Sequence, residues 1–284
     1  METITLSAYA KINLTLGITG IREDGYHTLE TLMQEISLAD TVILQKIPQG
    51  ILIDCDRSGI PTDEKNICYK AAKGYFEKSG IKGGIRISLQ KRIPDGAGMG
   101  GGSADAAAVL KGMSALYPAK VPLAEIALHC GADVPFFLEG GTAFCQGIGE
   151  MLTPLSFRGK EKVFCVVAKN CDGLSTPKIY SLYDSLPQNK KARASLDVIR
   201  TTLSKGDHAA LFALMENDLE LPAVTLRPQI IELKEALLKN GADCAMMTGS
   251  GSAVFGLFLS EEKARAAEAA LKPCCRDAHF CTLL

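Results

Sequence analysis

No C-x-x-C pair occurs in this chain of 284 residues, although it carries ten cysteines, and only Cys274 and Cys275 are close neighbours. That scatter excludes the spacings of a zinc site or a disulfide framework and points to free, mostly buried thiols in a reducing cytosol. No block of Lys and Arg exceeds three residues, and the net charge is −1. The electrostatic footprint of a nucleic-acid partner is therefore absent. No apolar run approaches the ~20 residues of a membrane span. The N-terminus lacks a basic start followed by an unbroken apolar core, because Lys11 and Asn13 interrupt it; this argues against a signal peptide. No H-R-D or D-F-G occurs, which removes the protein-kinase pattern. What is left, 47% apolar and 22% charged residues, is the composition of a soluble cytoplasmic protein with one large or two modest domains.

Glycine is concentrated in one place. The run Ile93–Ala108 reads I-P-D-G-A-G-M-G-G-G-S-A-D-A-A-A, with glycines at 96, 98, 100, 101 and 102. Before it, Gly84–Gln90 alternates, with Ile85, Ile87 and Leu89 on one face, and reads as a strand. After it the pattern is helical, with Gly102 or Ser103 near the N-cap and Asp105 in the first turn. Strand, glycine loop and helix start together aim backbone N–H groups and a positive dipole end at one point, a ready phosphate site. A flexible linker rarely runs straight into an apolar helix. A P-loop needs G-x-x-x-x-G-K-[ST], and Gly102 stands where the lysine belongs. Gly96, Gly98 and Gly101 meet G-x-G-x-x-G, which keeps a nicotinamide dehydrogenase as an alternative. Against it, Pro94 breaks the strand-to-glycine join and no second strand ending in Asp or Glu follows.

Further along, Thr5 to Leu16 alternates as a long strand that points Lys11 and Asn13 the same way, about 7 Å apart. Asp24-Gly25 is a turn that presents Tyr26 and His27 at a loop end; an aromatic beside a histidine can stack on a base and bond its edge, though a lone dipeptide of this kind is ordinarily a surface loop. Thr41–Gln45 and Gly50–Asp54 read as a hairpin, and Asn66–Lys78 as a helix stopped by Gly80. Leu123–Cys130 is a short helix. In Gly131-Ala132-Asp133-Val134-Pro135-Phe136-Phe137 the carboxylate of Asp133 stands in apolar surroundings, costly unless partnered. The pattern restarts after Pro154, with a strand at Val163–Ala168 and helices near Ser195–Ser204, Asp207–Glu216 and Pro228–Lys239. The turn T-G-S-G-S-A follows, then a strand at Val254–Leu259 and a closing helix at Glu261–Leu271.

The loop P-x-x-x-G-x-G-G-G-S-A resembles the phosphate-binding loop of the GHMP small-molecule kinases. With A-Y-A-K-I-N-L, D-G-Y-H-x-L and G-A-D-V-P-F-F in order, the chain resembles the diphosphocytidyl-methylerythritol kinases within that group. The resemblance implies an α/β, two-domain fold: a ribosomal-protein-S5-like, ATP-binding domain over 1–153 and a ferredoxin-like, substrate-side domain over 154–284, with the active site between them. It implies ATP held by Pro94, Gly96, Ala97, Gly98, Met99, Gly100, Gly101, Gly102 and Ser103, with Asn66 bordering the adenine and Mg²⁺ carried on the nucleotide. No protein metal ligand is assigned; Glu125 and Glu139 are the candidates. It further implies Asp133 as catalytic base, Lys11 as the cation that stabilises it, and Asn13 holding the substrate's diol. Tyr26 would stack on cytosine and His27 read its edge. Thr176 and Tyr180 of L-S-T-P-K-I-Y would touch the cytidine, and Gly249 and Ser250 would border the transferring phosphate. The partner is a cytidine-diphosphate-linked methylerythritol, and the protein a monomer or homodimer. Another GHMP kinase acting on a different alcohol, and a non-catalytic nucleotide-binding module, are the other readings.

Overall fold

The computed structural model describes residues 2–186 and 194–284. Eleven strands are assigned among them: β1 (Thr3–Ile21), β2 (His27–Ile47), β3 (Gly50–Cys55), β4 (Gly84–Gln90), β5 (Thr142–Gln146), β6 (Met151–Pro154), β7 (Phe164–Lys169), β8 (Glu216–Asn217), β9 (Cys244–Met247), β10 (Val254–Phe258) and β11 (Asp277–Thr282). The α-helices are α1 (Ile67–Ser79), α2 (Gly101–Leu116), α3 (Leu123–Cys130), α4 (Val134–Glu139), α5 (Thr176–Ser185), α6 (Leu196–Lys205), α7 (His208–Leu214), α8 (Glu220–Leu226), α9 (Gln229–Lys239) and α10 (Glu261–Leu271). No helix among the described residues is long and apolar enough to cross a membrane. All ten cysteines are free thiols. Burial pushes those of Cys68 and Cys165 well above the usual thiol range and that of Cys244 up to about 12.

The residues fall into two compact units, the first made of Met1–Ala10, Leu38–Ile93 and Gly100–Gly140. Here β4 is the central strand. It pairs antiparallel with β2, from Thr41↔Gln90 to Ile47↔Gly84. It pairs in parallel with β3, from Gly50↔Gly84 to Cys55↔Leu89. The hairpin read at 41–54 is therefore absent: β2 and β3 both bond β4 instead of each other. Pro48-Gln49 lacks the residues of a tight hairpin turn, and the chain at Gln49 passes over Gly84. A Cβ on Gly84 would lie 2.3 Å from the Gln49 carbonyl carbon. Helix α2 is buried almost all round, through Ala104, Ala106, Ala107, Ala108, Val109 and Leu110, as suits a core helix. Gly112 lets it settle on the sheet, since a Cβ there would meet the Leu44 side chain at 2.3 Å. Asn66, read as the first helical residue, is instead the cap of α1, and Gly80, at φ +67°, ends the helix where the sequence places it.

The second unit holds Lys11–Ser37, Pro94–Met99 and Gly141–Leu284. Its four-stranded sheet runs β11-β7-β10-β9 and is antiparallel throughout. Strand order 4-1-3-2 with a βαββαβ succession is the ferredoxin-like arrangement. Leu16, Ile18, Val166, Ile179, Leu233, Met247, Phe258 and Leu271 belong to its core. Strand β1 pairs here in parallel with β8 at Thr15↔Glu216, and β2 pairs with β5 from Thr31↔Cys145 to Gln34↔Thr142.

Gly84→Ala is expected to lower stability by about 1–3 kcal/mol, the range of an overpacked site. A fall in the urea midpoint at unchanged slope would register it.

Candidate active site

In the first unit, the glycine run supplies a helix start. Gly100, at φ +72°, is the N-cap of α2, and the helix begins at Gly101. The cap therefore lies ahead of the expected Gly102 or Ser103. Gly101, Gly102 and Ser103 occupy the first turn, where amides have no intrahelical acceptor and the positive end of the helix dipole lies. Asp105 is displaced from that first turn. It is buried and bonded to Lys91.

Asn66 is a cap by geometry. Its Oδ1 accepts from Cys68 N at 2.8 Å, and its Nδ2 donates to the Pro61 carbonyl at 2.6 Å. Asp133 stands at the cap position of α4, yet its carboxylate caps nothing. The amide a cap would take at the second helical position belongs to Pro135, which has no N–H. The Val134 amide is already given to the Gly131 carbonyl at 3.1 Å. The half-buried Asp133 side chain thus makes no hydrogen bond or ion pair with the described residues. Glu125 is taken by Lys78 at 2.5 Å on the surface, and Glu139 is exposed at the end of α4.

In the second unit, the segment Pro94–Met99 is held along its length. The Asp95 carbonyl accepts from the Lys169 ammonium, and those of Gly96 and Ala97 accept from the Ser252 and Ala253 amides, each at 3.3 Å. The Met99 carbonyl accepts from Lys11 N at 3.1 Å. So many anchors rule out a flexible linker. Gly98 lies against the second glycine turn: a Cβ on it would sit 2.2 Å from the Thr248 carbonyl oxygen. In return, a Cβ on Gly249 would sit 2.7 Å from the Gly98 carbonyl oxygen. Glycine is required at both positions, for this approach and for φ values of +73° and +56°.

The polar face of β1 meets the same place. Lys11 and Asn13 are 3% and 1% exposed, so that face is interior. Lys11 Nζ donates to Asn13 Oδ1 at 2.6 Å and to the Gly98 carbonyl at 2.8 Å. Asn13 Nδ2 donates to Thr31 Oγ1 at 2.8 Å, and Thr31 donates on to the Thr15 carbonyl at 2.5 Å. The Thr248 hydroxyl accepts from Asn13 N at 3.0 Å and donates to Asn13 Oδ1 at 3.2 Å. The knot fixes an ammonium on the carbonyl of the glycine loop. Thr31 and Thr248 were not singled out in the sequence. Thr248 opens the quoted motif T-G-S-G-S-A, so its position was a usable signal; Thr31 carries none.

The residues expected at the cytidine end also lie in this unit. Tyr26 follows the Asp24-Gly25 turn and is 63% exposed. The His27 ring lies 4.7 Å from that of Tyr180, tilted by 33°, and meets Tyr183 edge-on at 6.3 Å. Its Nε2 is 2.8 Å from Asp184 Oδ1. Among the described contacts, His27 is thus the ring that faces Tyr180. Thr176, at the first turn of α5, bonds Ser250 hydroxyl to hydroxyl at 2.8 Å. The Gly249 carbonyl accepts from Asn217 Nδ2 at 2.9 Å. Tyr183, Asp184 and Asn217 were not anticipated, because contacts between distant segments leave no local pattern.

Comparison with known proteins gives this geometry its relatives. Residues 66–141 match the GHMP kinases N terminal domain, and residues 199–276 match the GHMP kinases C terminal domain. The chain is 42% identical over 277 residues, 96% of each chain, to the 4-diphosphocytidyl-2-C-methyl-D-erythritol kinase of Acetivibrio thermocellus. It is 41% identical over 255 residues, 88% of this chain and 89% of the other, to that of Clostridium botulinum. A crystal structure of 4-(cytidine 5'-diphospho)-2C-methyl-D-erythritol kinase superposes with TM-score 0.85 at 39% identity over 99% of each chain. Homoserine kinase from Cytophaga hutchinsonii shares the fold, with TM-score 0.77 at 22% identity over 100% of this chain and 95% of its own.

Thr248→Val keeps the shape and removes both hydroxyl bonds to Asn13. It is expected to cost about 1–3 kcal/mol, as a buried group left unsatisfied does. Thr248→Ser, which keeps the hydroxyl, should lose clearly less in the same denaturation series.

Proposed function

Because this chain belongs to the 4-diphosphocytidyl-2-C-methyl-D-erythritol kinase family of GHMP kinases, we propose that it transfers the γ-phosphoryl group of ATP to the 2-hydroxyl of 4-(cytidine 5'-diphospho)-2-C-methyl-D-erythritol. The products are the 2-phosphate and ADP, in the non-mevalonate route to isoprenoid precursors. The observation that carries this reading is the 42% identity sustained over 96% of both chains. The helix start at Gly101, the buried Lys11 and the uncapped Asp133 support it.

In this reading the nucleotide lies along Pro94, Gly96, Ala97, Gly98, Met99, Gly100, Gly101, Gly102 and Ser103, with Asn66 at the adenine end. The first-turn amides of α2 take phosphate oxygens. Asp133 accepts the proton of the 2-hydroxyl as that oxygen bonds to the γ-phosphorus. The bond from γ-phosphorus to the bridging oxygen breaks, and ADP leaves with the electron pair. Lys11 supplies positive charge, and Asn13 orients it, keeping one amide proton for the substrate's diol. Tyr26, His27, Thr176 and Tyr180 hold the cytidine, and Gly249 and Ser250 border the transferring group. Magnesium travels on the triphosphate, and no carboxylate here is assigned to it. Positioning and charge stabilisation account for most of the rate in phosphoryl transfer. The division into 1–153 and 154–284 belongs to the same reading. The matched segments, 66–141 and 199–276, fall on either side of that boundary, whereas the compact units divide the chain differently, joining Lys11–Ser37, Pro94–Met99 and residues 141–153 to the C-terminal part. Ten free thiols suit a cytoplasmic enzyme, as a monomer or homodimer.

The test is ATP consumption with Mg²⁺ against the cytidylated substrate, methylerythritol phosphate, mevalonate and homoserine. Turnover of the first alone is expected. Turnover of another alcohol instead would keep the GHMP kinase and discard the cytidine clamp. Asp133→Asn is expected to lower kcat by about 10²–10⁴-fold, the usual worth of a general base; near-normal turnover would remove Asp133 from that role.

A further inference from the structure

A buried charge cluster in the first unit lies outside the machinery described so far. Lys91, the residue after β4, donates from its ammonium to Asp40 of β2 and to Asp105 of α2. All three side chains are buried. Asp40 does more: its Oδ1 accepts from the amides of Arg92 at 2.5 Å and Ile93 at 2.8 Å. Asp105 Oδ1 is buried with no hydrogen-bond partner among the described residues. Gly101, the first residue of α2, packs on this cluster. A Cβ there would lie 3.1 Å from Ile93 Cγ2 and 3.6 Å from Asp40 Oδ2.

Each contact has an end of the glycine run in it. Lys91, Arg92 and Ile93 lead the chain into the run, and Gly101 and Asp105 lie on the helix that leads it out. Burying one cation with two carboxylates is costly and weak as a source of stability, because desolvation offsets the attraction. An apolar trio would close the same space more cheaply. What the trio would not do is tie the entry amides and the exit helix to one point with directional bonds.

We infer that Lys91, through Asp40 and Asp105, is a positioning residue for the phosphoryl donor: it holds the entry and exit of the glycine run in the register that triphosphate binding requires. This rests on the ATP reading above. A second consequence follows from charge. Burial, together with the Asp40 carboxylate, raises Asp105 to about 7 in spite of Lys91. Below that pH the cluster is neutral, with Asp105 protonated. Above it the cluster carries one net negative charge, on the second turn of the helix whose first amides receive phosphate. Of the groups around it, the Cys68 thiol of α1 is held neutral by burial, which raises it; at the backbone of Lys91, Asp56 accepts from the amide at 2.8 Å and the Arg57 guanidinium donates to the carbonyl at 3.2 Å. The added negative charge opposes a polyphosphate, so ATP binding weakens as pH rises through about 7.

The experiment uses the full chain and measures KM for ATP, kcat and direct ATP binding from pH 6 to 8.5. Lys91→Met is expected to raise KM for ATP about tenfold or more, with kcat at saturating ATP changed by less than about threefold. Asp105→Asn, isosteric and permanently neutral, is expected to flatten the rise in KM with pH by about threefold relative to wild type. ATP's own titration is common to both proteins and cancels in the ratio. If Lys91→Met fails to fold, the Asp105→Asn ratio decides alone. Unchanged KM in a folded Lys91→Met, or identical pH profiles for wild type and Asp105→Asn, would overturn the inference. Absence of ATP binding by wild type would instead overturn the donor reading on which it rests.

Discussion

The contact on which the glycine turns of the second unit depend is backbone against backbone. The turn at Gly98 and the turn at Thr248–Gly251 touch at distances that no Cβ permits. Lys11, Asn13 and Thr248 close the space beside them with hydrogen bonds, and every group in that knot is buried. A buried polar network of this kind is valuable only when all its members are satisfied. Here each donor fixes another: the Thr248 hydroxyl is shared between the amide and the side chain of Asn13, and Thr31 takes the other end of that side chain. The result is a cation whose place is set before any ligand arrives. In the proposed reaction such preorganisation would place positive charge where the transition state needs it.

Much of this was legible in the sequence, and the reason is local. Strand β4, helix α3 and helix α10 stand where alternation or helical period, glycine stops and caps put them, because those signals are written in adjacent residues. The glycine run also announced its use. Positive φ and close approach are demands that only glycine meets, and Gly96, Gly98 and Gly100 adopt φ of +56°, +73° and +72°. What failed was pairing. Two strands at 41–54 separated by a short link look like a hairpin. The partner that intervenes, β4, is thirty residues away and enters through Gly84. Strand alternation is also silent on burial. It gave β1 one polar face, and polar residues beside water are the ordinary outcome, yet Lys11 and Asn13 are interior. Their partners Gly98, Thr31 and Thr248 are supplied by remote segments, and no window of neighbouring residues contains that information.

Two aspartates show how environment divides one residue type between roles. Asp105 and Asp133 each stand near the start of a helix in the first unit. Asp105 is buried, bonded to an ammonium that is shared with a second carboxylate, and raised to about 7. Its proton is exchanged within a closed cluster, so it can shape a neighbouring loop but cannot take a proton from a substrate. Asp133 is only half-buried, its backbone is helical rather than extended, and Pro135 removes one of the two amides a cap would take, so its carboxylate caps nothing. Its oxygens therefore keep their lone pairs for something the protein does not supply. A carboxylate left uncommitted among the described residues, at a position where a cap would have stabilised the helix by about 1 kcal/mol, is what the proposed role as general base requires. Lys91 commits one carboxylate, and the helical backbone at Asp133 together with Pro135 leaves the other uncapped.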